Sequence, residues 1–405
     1  MSADEAIRLI RDGDCICVNS FVGIENPTEL HEAIYRRYQK MQSPTHLTIV
    51  SSAGFGVWDE EHNAEGYIRE GAVDKLICGH FGAMMSTKKL VLEDRFEAYN
   101  LPLGCISHAI RAQAGGLPGA LSKVGLDIFV DPRREGPGIN RISIDDSLVK
   151  HVEVDGDEFL YYKLPKITIA LIKGTAADRK GNITFDDMFM SGDALSICQA
   201  VKANRGKVIV QVDRLVATPS RPRNAIIPGC LVDAIVVAEP QERNEAYTAL
   251  TGSFEIPYKE WHTWNEKIND LSQKQRKNNI PANIIGKRAA QELRVDDIVN
   301  IGIGIPETVA RFARKSGMLD MITLTVESGG IGGFPVSGEA FGAMIGAASV
   351  YDMANQFDLY DNGGLDVCFM GALEVDKYGN INAHRGTGAF AGIGGFANIT
   401  AKTPT

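Results

Sequence analysis

Short apolar runs recur along the chain, each closed by a glycine or proline turn and followed by a mixed, helix-like segment. Cys15 to Val18, Leu47 to Val50, Lys207-Val-Ile-Val-Gln-Val212 and Asp233-Ala-Ile-Val-Val-Ala238 have the β-branched content of strands. Runs this apolar fit strands covered on both faces. The succession of strand, short loop, helix and strand predicts a mainly parallel sheet clothed in helices, an α/β fold.

The pattern repeats. Ala6 to Asp14 leads into Cys15 to Val18, the loop Ser20-Phe-Val-Gly-Ile-Glu-Asn-Pro27 and a helix from Thr28. Ala290 to Asp297 leads likewise into Ile298 to Ile301, Gly302-Ile-Gly-Ile-Pro306 and a helix from Glu307. Pro27 and Pro306 lie 279 apart, each near a helix start, where a missing N–H costs nothing. Leu47 to Gly54 matches Leu324 to Gly330 at an offset of 277, with Val50 opposite Glu327. Asp178-Arg-Lys-Gly-Asn182 matches Asp376-Lys-Tyr-Gly-Asn380 at an offset of 198, each after an apolar strand expected to end in a glycine, Gly174 or Gly371.

The fall in offset places about 79 extra residues in the first half, roughly at 80–163, expected to form a separate layer or flap. Two related open α/β domains follow: 1–241 with this insertion, and 284–405. Between them 242–283 reads as a polar, partly helical connector, carrying Trp261-His-Thr-Trp264 and Gln273 to Asn279. The 198 offset would carry the second half to about position 437, so it is expected to be either truncated or built differently, truncation being preferred.

Composition narrows the function. Hydrophobic residues make up 44% and charged residues 23% of the 405, a globular balance without a bilayer-length apolar run, so no membrane association is expected. The net charge of -9 and the lack of a basic stripe argue against nucleic acid. The N-terminus resembles neither a signal nor a transit peptide, and a cytoplasmic location is expected. Cys15, Cys17, Cys78, Cys105, Cys198, Cys230 and Cys368 show neither CxxC nor ligand spacing and read as reduced core residues.

Candidate chemistry gathers where strands end in glycine. Glu327 precedes Ser328-Gly-Gly-Ile-Gly-Gly333 at the carboxyl end of a predicted buried strand, where open α/β sheets bind ligands. Such a carboxylate either caps the loop or acts as a nucleophile. Gly302 to Pro306 could present a helix N-terminus to an anionic ligand or be a structural turn. Gly386 to Phe396 could expose N–H groups as an oxyanion hole, with the same ambiguity. His80, His108 and His384 stand isolated and read as core or surface imidazoles, so no metal is proposed. Ser52 and Ser328 lack the GxSxG elbow, and neither Walker A spacing nor a dinucleotide fingerprint is found.

Together the motifs Asn300-Ile-Gly-Ile-Gly-Ile-Pro306, Glu327-Ser-Gly-Gly330 and Gly392-Ile-Gly-Gly-Phe396, in this order behind a related N-terminal half, resemble the family I CoA-transferases. The likeness spans essentially all 405 residues and is greatest to the single-chain acetate/propionate and 3-ketoacid CoA-transferases, whose first half carries a loop of the Ser20-Phe-Val-Gly-Ile24 type. The resemblance implies ping-pong transfer of CoA between a short acyl-CoA and acetate, propionate or a 3-ketoacid. Glu327 would attack the thioester and then carry CoA as a glutamyl-CoA thioester. Gly302, Ile303, Gly304, Ile305, Pro306 and Gly394 would contact CoA, Asn300 would border the site, and the N–H of Gly395, with that of Phe396, would stabilise the oxyanion.

It further implies coenzyme A as substrate with no metal or redox cofactor, and a homodimer or homotetramer. An attacking carboxylate must be ionised, so polar donors rather than a dry pocket are expected around Glu327. Leu101-Pro-Leu-Gly104 and Gly115-Gly-Leu-Pro-Gly119 are expected to fold over the acyl pocket. Leu103 departs from the glutamine that such enzymes often place beside the carboxylate. The competing readings are an inactive truncated remnant or assembly partner, and a phosphosugar isomerase of related topology, which would need basic residues converging on a phosphate.

Overall fold

The computed structural model describes residues 1–56, 64–217, 222–239, 280–336, 340–386 and 389–404. Nearly all of the expected connector at 242–283, with its Trp261 to Trp264 and Gln273 to Asn279 stretches, lies outside the described residues.

In the first half, strands β1 (Cys15–Val18), β2 (Leu47–Ser51), β3 (Val73–Cys78), β4 (Glu97–Asn100), β8 (Ile169–Ala177), β10 (Lys207–Leu215) and β12 (Ala234–Val237) run parallel in the order β12-β10-β8-β1-β2-β3-β4. Short β9 (Ile183–Thr184) and β11 (Ala225–Ile227) extend this sheet antiparallel from the end of β8. Its apolar runs divide between two faces as the pleat requires. Ile16, Val18 and Ile209 pack with helices α1 (Ala3–Ala6) and α2 (Thr28–Met41). Cys15, Cys17, Val208 and Val210 pack with α5 (Leu103–Ala114) and α6 (Ala194–Ala203) on the other face. Five cysteines are buried as expected, but Cys230 is exposed and Cys368 half-buried.

The span 80–163 is not one separate layer. It contributes α4 (Met85–Leu92), the edge strand β4 of the main sheet and the helix α5 on its face. Only β5 (Ala120–Ser122), β6 (Val149–Val154) and β7 (Asp157–Tyr162) stand apart, as an antiparallel sheet in the order β5-β7-β6.

The second half has the smaller sheet. After α7 (Ile280–Ala289), strands β13 (Ile298–Ile301), β14 (Thr323–Thr325) and β19 (Val367–Phe369) are parallel, β13 between the other two, as β1 lies between β2 and β8. β15 (Gly330–Ile331) and β18 (Ser349–Val350) add antiparallel strands beyond β14. Helices α8 (Glu307–Lys315), α9 (Met353–Asp361) and α10 (Phe396–Thr400) complete the half, with Pro306 capping α8 as Pro27 caps α2.

The repeat extends to individual hydrogen bonds. Asp178 accepts the N–H groups of Lys180 and Asn182 and the Asn182 side-chain amide, and Asp376 accepts the same set from Tyr378 and Asn380. Two details differ from expectation. β8 runs three residues past Gly174 rather than ending there. Aligning the first paired residues, Cys15 with Thr48 and Ile298 with Thr323, also sets Glu327 opposite Ser52 rather than Val50.

The halves share a core. Phe21, Val22, Ala53, Leu103 and Phe189 of the first pack with Val299, Val326, Phe334 and Phe357 of the second. At the contact of α5 with α9 and α10, a Cβ added at Gly104 would stand 2.5 Å from Asn398 Nδ2 and 2.6 Å from the Phe357 ring. Gly104→Ala is therefore expected to overpack the seam and lower stability by about 1–3 kcal/mol, measured as a lower urea midpoint.

Candidate active site

Glu327 sits two residues beyond β14, in the tight turn that reverses the chain into β15. Val326 N–H donates to the Gly330 carbonyl, and Gly329 N–H returns to Val326. Gly329 has φ +115°, and a Cβ there would stand 1.9 Å from the Tyr351 carbonyl oxygen, so only glycine lets the chain turn this closely. Ser328 donates its hydroxyl to the Gly342 carbonyl and braces the turn from its far side. The glutamate side chain is thereby delivered into a cavity rather than along the sheet.

The cavity holds about 490 Å³ between the halves. The first half supplies Phe21 and Val22 from the loop after β1, Ala53, His80 and Ala83 from the ends of β2 and β3, and Leu103 from α5. From the second come Ile303, Ile305, Phe341, Met370 and the glycine loop before α10. Among the described lining residues Glu327 and His80 bear the only ionisable side chains.

The glycine loop is fixed chiefly by the first half. Phe81 N–H donates to Ala391 O at 2.7 Å, Gly394 N–H to Gly79 O at 2.7 Å, and Leu103 N–H to Gly394 O at 2.9 Å. Asn100 uses its whole amide: Nδ2 donates to Cys78 O and Gly79 O, and Oδ1 accepts Ile393 N–H at 2.8 Å. Asn398 accepts Gly104 N–H and donates to Asp361. So anchored, Gly395 lies against Glu327, where an added Cβ would stand 2.3 Å from Oε2.

This surround is drier than expected. Burial pushes the Glu327 carboxyl up to about 7, and the N–H of Gly395 is the hydrogen bond that opposes the rise. Phe396 does not add a second donor, because its N–H is spent on Ile393 O.

The other expected site residues separate into two groups. Gly302, Ile303, Ile305, Pro306 and Gly394 line the cavity with Glu327 and Gly395. Gly304 shapes the turn instead, with φ +93° and its N–H donated to the Glu307 carboxylate. Asn300 lies behind the wall, buried and donating to the Tyr360 hydroxyl and the Thr325 carbonyl. Leu103 reaches the cavity, but Gly115 to Gly119 sit at the far end of α5, where Gly119 packs on Tyr161 and Tyr162.

His108 and His384 match their reading as packed imidazoles. The first meets Ala354 O and Asp358, and the second stacks on Phe129 at 3.6 Å. His80, read in the same way, instead faces the cavity. Its only sequence signal was its position just past a strand end.

Residues 1–238 and 282–391 match the family model described as Coenzyme A transferase. The chain belongs to this family and is a CoA-transferase. It is 37% identical over 408 residues to the acetate CoA-transferase YdiF of Escherichia coli K12, covering 100% of this chain and 74% of that protein. It is 36% identical over 420 residues to the caffeate CoA-transferase of Acetobacterium woodii, covering 100% and 76%. A crystal structure of the acyl-CoA transferase YdiF from E. coli O157:H7, a thioester complex with CoA, superposes with TM-score 0.86 at 34% identity, over 100% of this chain and 74% of that one.

The perturbed carboxyl makes a signed prediction. With its folded value near 7 and its unfolded value near 4.5, Glu327 binds more protons when folded between these limits, so the stability it allows falls as pH rises through them. Glu327→Gln is expected to raise stability at pH 8 by up to about 3 kcal/mol and by much less at pH 5, read from urea midpoints at the two values.

Proposed function

We propose that the chain moves CoA between a short acyl-CoA and a monocarboxylate such as acetate, propionate or a 3-ketoacid, with Glu327 as the nucleophile. The observation that carries this reading is the Glu327 carboxylate, sunk in an apolar cavity against the Gly395 N–H. The relatives named as acetate and caffeate CoA-transferases support transfer to a carboxylate.

A Glu327 oxygen attacks the thioester carbonyl, the C–S bond breaks and CoA leaves as thiolate, giving an acyl-glutamyl anhydride. The thiolate then attacks the Glu327 carbonyl carbon, forming a glutamyl-CoA thioester and releasing the donor carboxylate. An acceptor carboxylate runs the same steps in reverse. Coenzyme A is a substrate here, and the route needs no metal or redox cofactor.

A dry cavity suits both stages. It spares the anhydride from water and leaves the attacking carboxylate poorly solvated. The exposed Ile303 and Ile305 at the rim offer apolar contact to the pantetheine arm. Among the described lining residues there is no Lys or Arg, which favours an uncharged acyl tail and speaks against a sugar-phosphate substrate. A second buried carboxylate would go unpaired, at a cost of several kcal/mol.

Incubation with acetyl-CoA is expected to add CoA to the peptide holding Glu327, seen by mass spectrometry, discharged by acetate and absent in Glu327→Gln. The rate of adduct formation should rise with pH through about 7 as the carboxyl ionises. In a steady-state panel, succinate should be at least about 100-fold poorer than propionate in kcat/KM, and comparable values would overturn the assignment to uncharged tails.

A further inference from the structure

The proposed route passes through two tetrahedral centres with different oxyanions. In the first, charge develops on the carbonyl oxygen of the substrate. In the second, it develops on an oxygen of Glu327 itself, as thiolate attacks the anhydride. The Gly395 N–H already bonds the Glu327 carboxylate, so it is placed for the second centre. The substrate oxygen needs another donor.

Only one other polar side chain lines the described cavity. His80 follows β3, and its ring packs where two glycines make room. A Cβ at Gly82 would stand 2.3 Å from its Cε1 and 2.7 Å from Nε2, and one at Gly394 would stand 3.7 Å from Cδ2. Since Gly394 precedes Gly395, the imidazole lies on the wall next to the nucleophile's donor. No hydrogen bond to its ring nitrogens is made among the described residues, and the residue is half-buried at the cavity wall. The backbone around it is firmly held, with Gly79 O accepting from both Gly394 and Asn100, and His80 O accepting from Cys78.

We infer that His80 is a catalytic residue whose imidazole N–H donates to the substrate's carbonyl oxygen while Glu327 attacks, leaving the Gly395 N–H to serve the second centre. This rests on the function proposed above. The step needs no proton transfer: the C–O bond forms, the carbonyl pair moves to oxygen, the neutral imidazole holds that oxygen, and the pair returns as the C–S bond breaks. Burial lowers the His80 pKa to about 4, so the ring remains a neutral donor where Glu327 is ionised. The apolar Leu103 on the same wall offers no side-chain donor for this role.

The test separates the two centres. In single-turnover mass spectrometry with acetyl-CoA, His80→Leu is expected to form the glutamyl-CoA thioester about 100-fold more slowly than the unmodified protein, the usual loss for one oxyanion donor. His80→Gln, which keeps an N–H donor, should recover most of that rate. Hydroxylamine cleavage of the preformed thioester attacks only the Glu327 carbon, so His80→Leu should leave it within about twofold. Unchanged thioester formation in His80→Leu would overturn the inference. Equal slowing of the hydroxylamine step, or no recovery in His80→Gln, would also overturn it by making His80 structural. If the unmodified protein formed no thioester at all, the proposed function itself would fall.

Discussion

The site depends on the docking of the glycine loop before α10 onto the first half. Gly395, whose N–H meets the carboxylate, and Glu327, the proposed nucleophile, both belong to the second half, yet the bonds that fix the loop run to Gly79, Phe81, Asn100 and Leu103 of the first. Most of these are main-chain bonds, so the geometry depends on backbone placement rather than on adaptable side chains. Asn100 adds a single amide with both N–H donors engaged, bridging the end of β3 to Ile393. The shared apolar core beneath, from Phe21 to Phe357, keeps the two halves in register. A cavity between halves follows directly from that docking.

The same docking sets the electrostatics. Closing two apolar surfaces around a carboxylate strips its solvation, and one N–H is too little to restore its ordinary acidity. The proposed reactivity and stability are thereby opposed, since the charge that the proposed attack requires is also the charge that folding disfavours. The turn at Gly329 adds a second constraint, because no side chain fits beneath the Tyr351 carbonyl oxygen. This steric constraint and the desolvation both lie within a few residues of Glu327.

Duplication explains the frame and also where it diverges. Both halves keep the parallel triplet of strands and the Asp-x-x-Gly-Asn turn, down to the same accepted N–H groups. Opposite Glu327 the first half has Ser52, whose hydroxyl donates with that of Ser107 to the buried Asp193. One copy of the strand end is thus given to a buried hydrogen-bond network and the other to the carboxylate proposed as the nucleophile. The first half contributes instead the cavity wall and the anchor for the glycine loop.

The sequence by itself determined the strands, the repeat, the position of Glu327 at a strand end and the glycine-rich character of its surroundings. These are local properties: apolar periodicity and glycine placement act over a few residues, so they survive in a linear reading. Tertiary structure alone decided which N–H meets the carboxylate, why Asn300 and Gly304 turn away from the cavity, and why His80 faces it. Asn100 and Ile393 meet across 293 positions of chain, and nothing within either segment specifies that meeting. The acidity of Glu327 belongs to the same class, because desolvation is a property of everything packed around a group rather than of its neighbours in sequence.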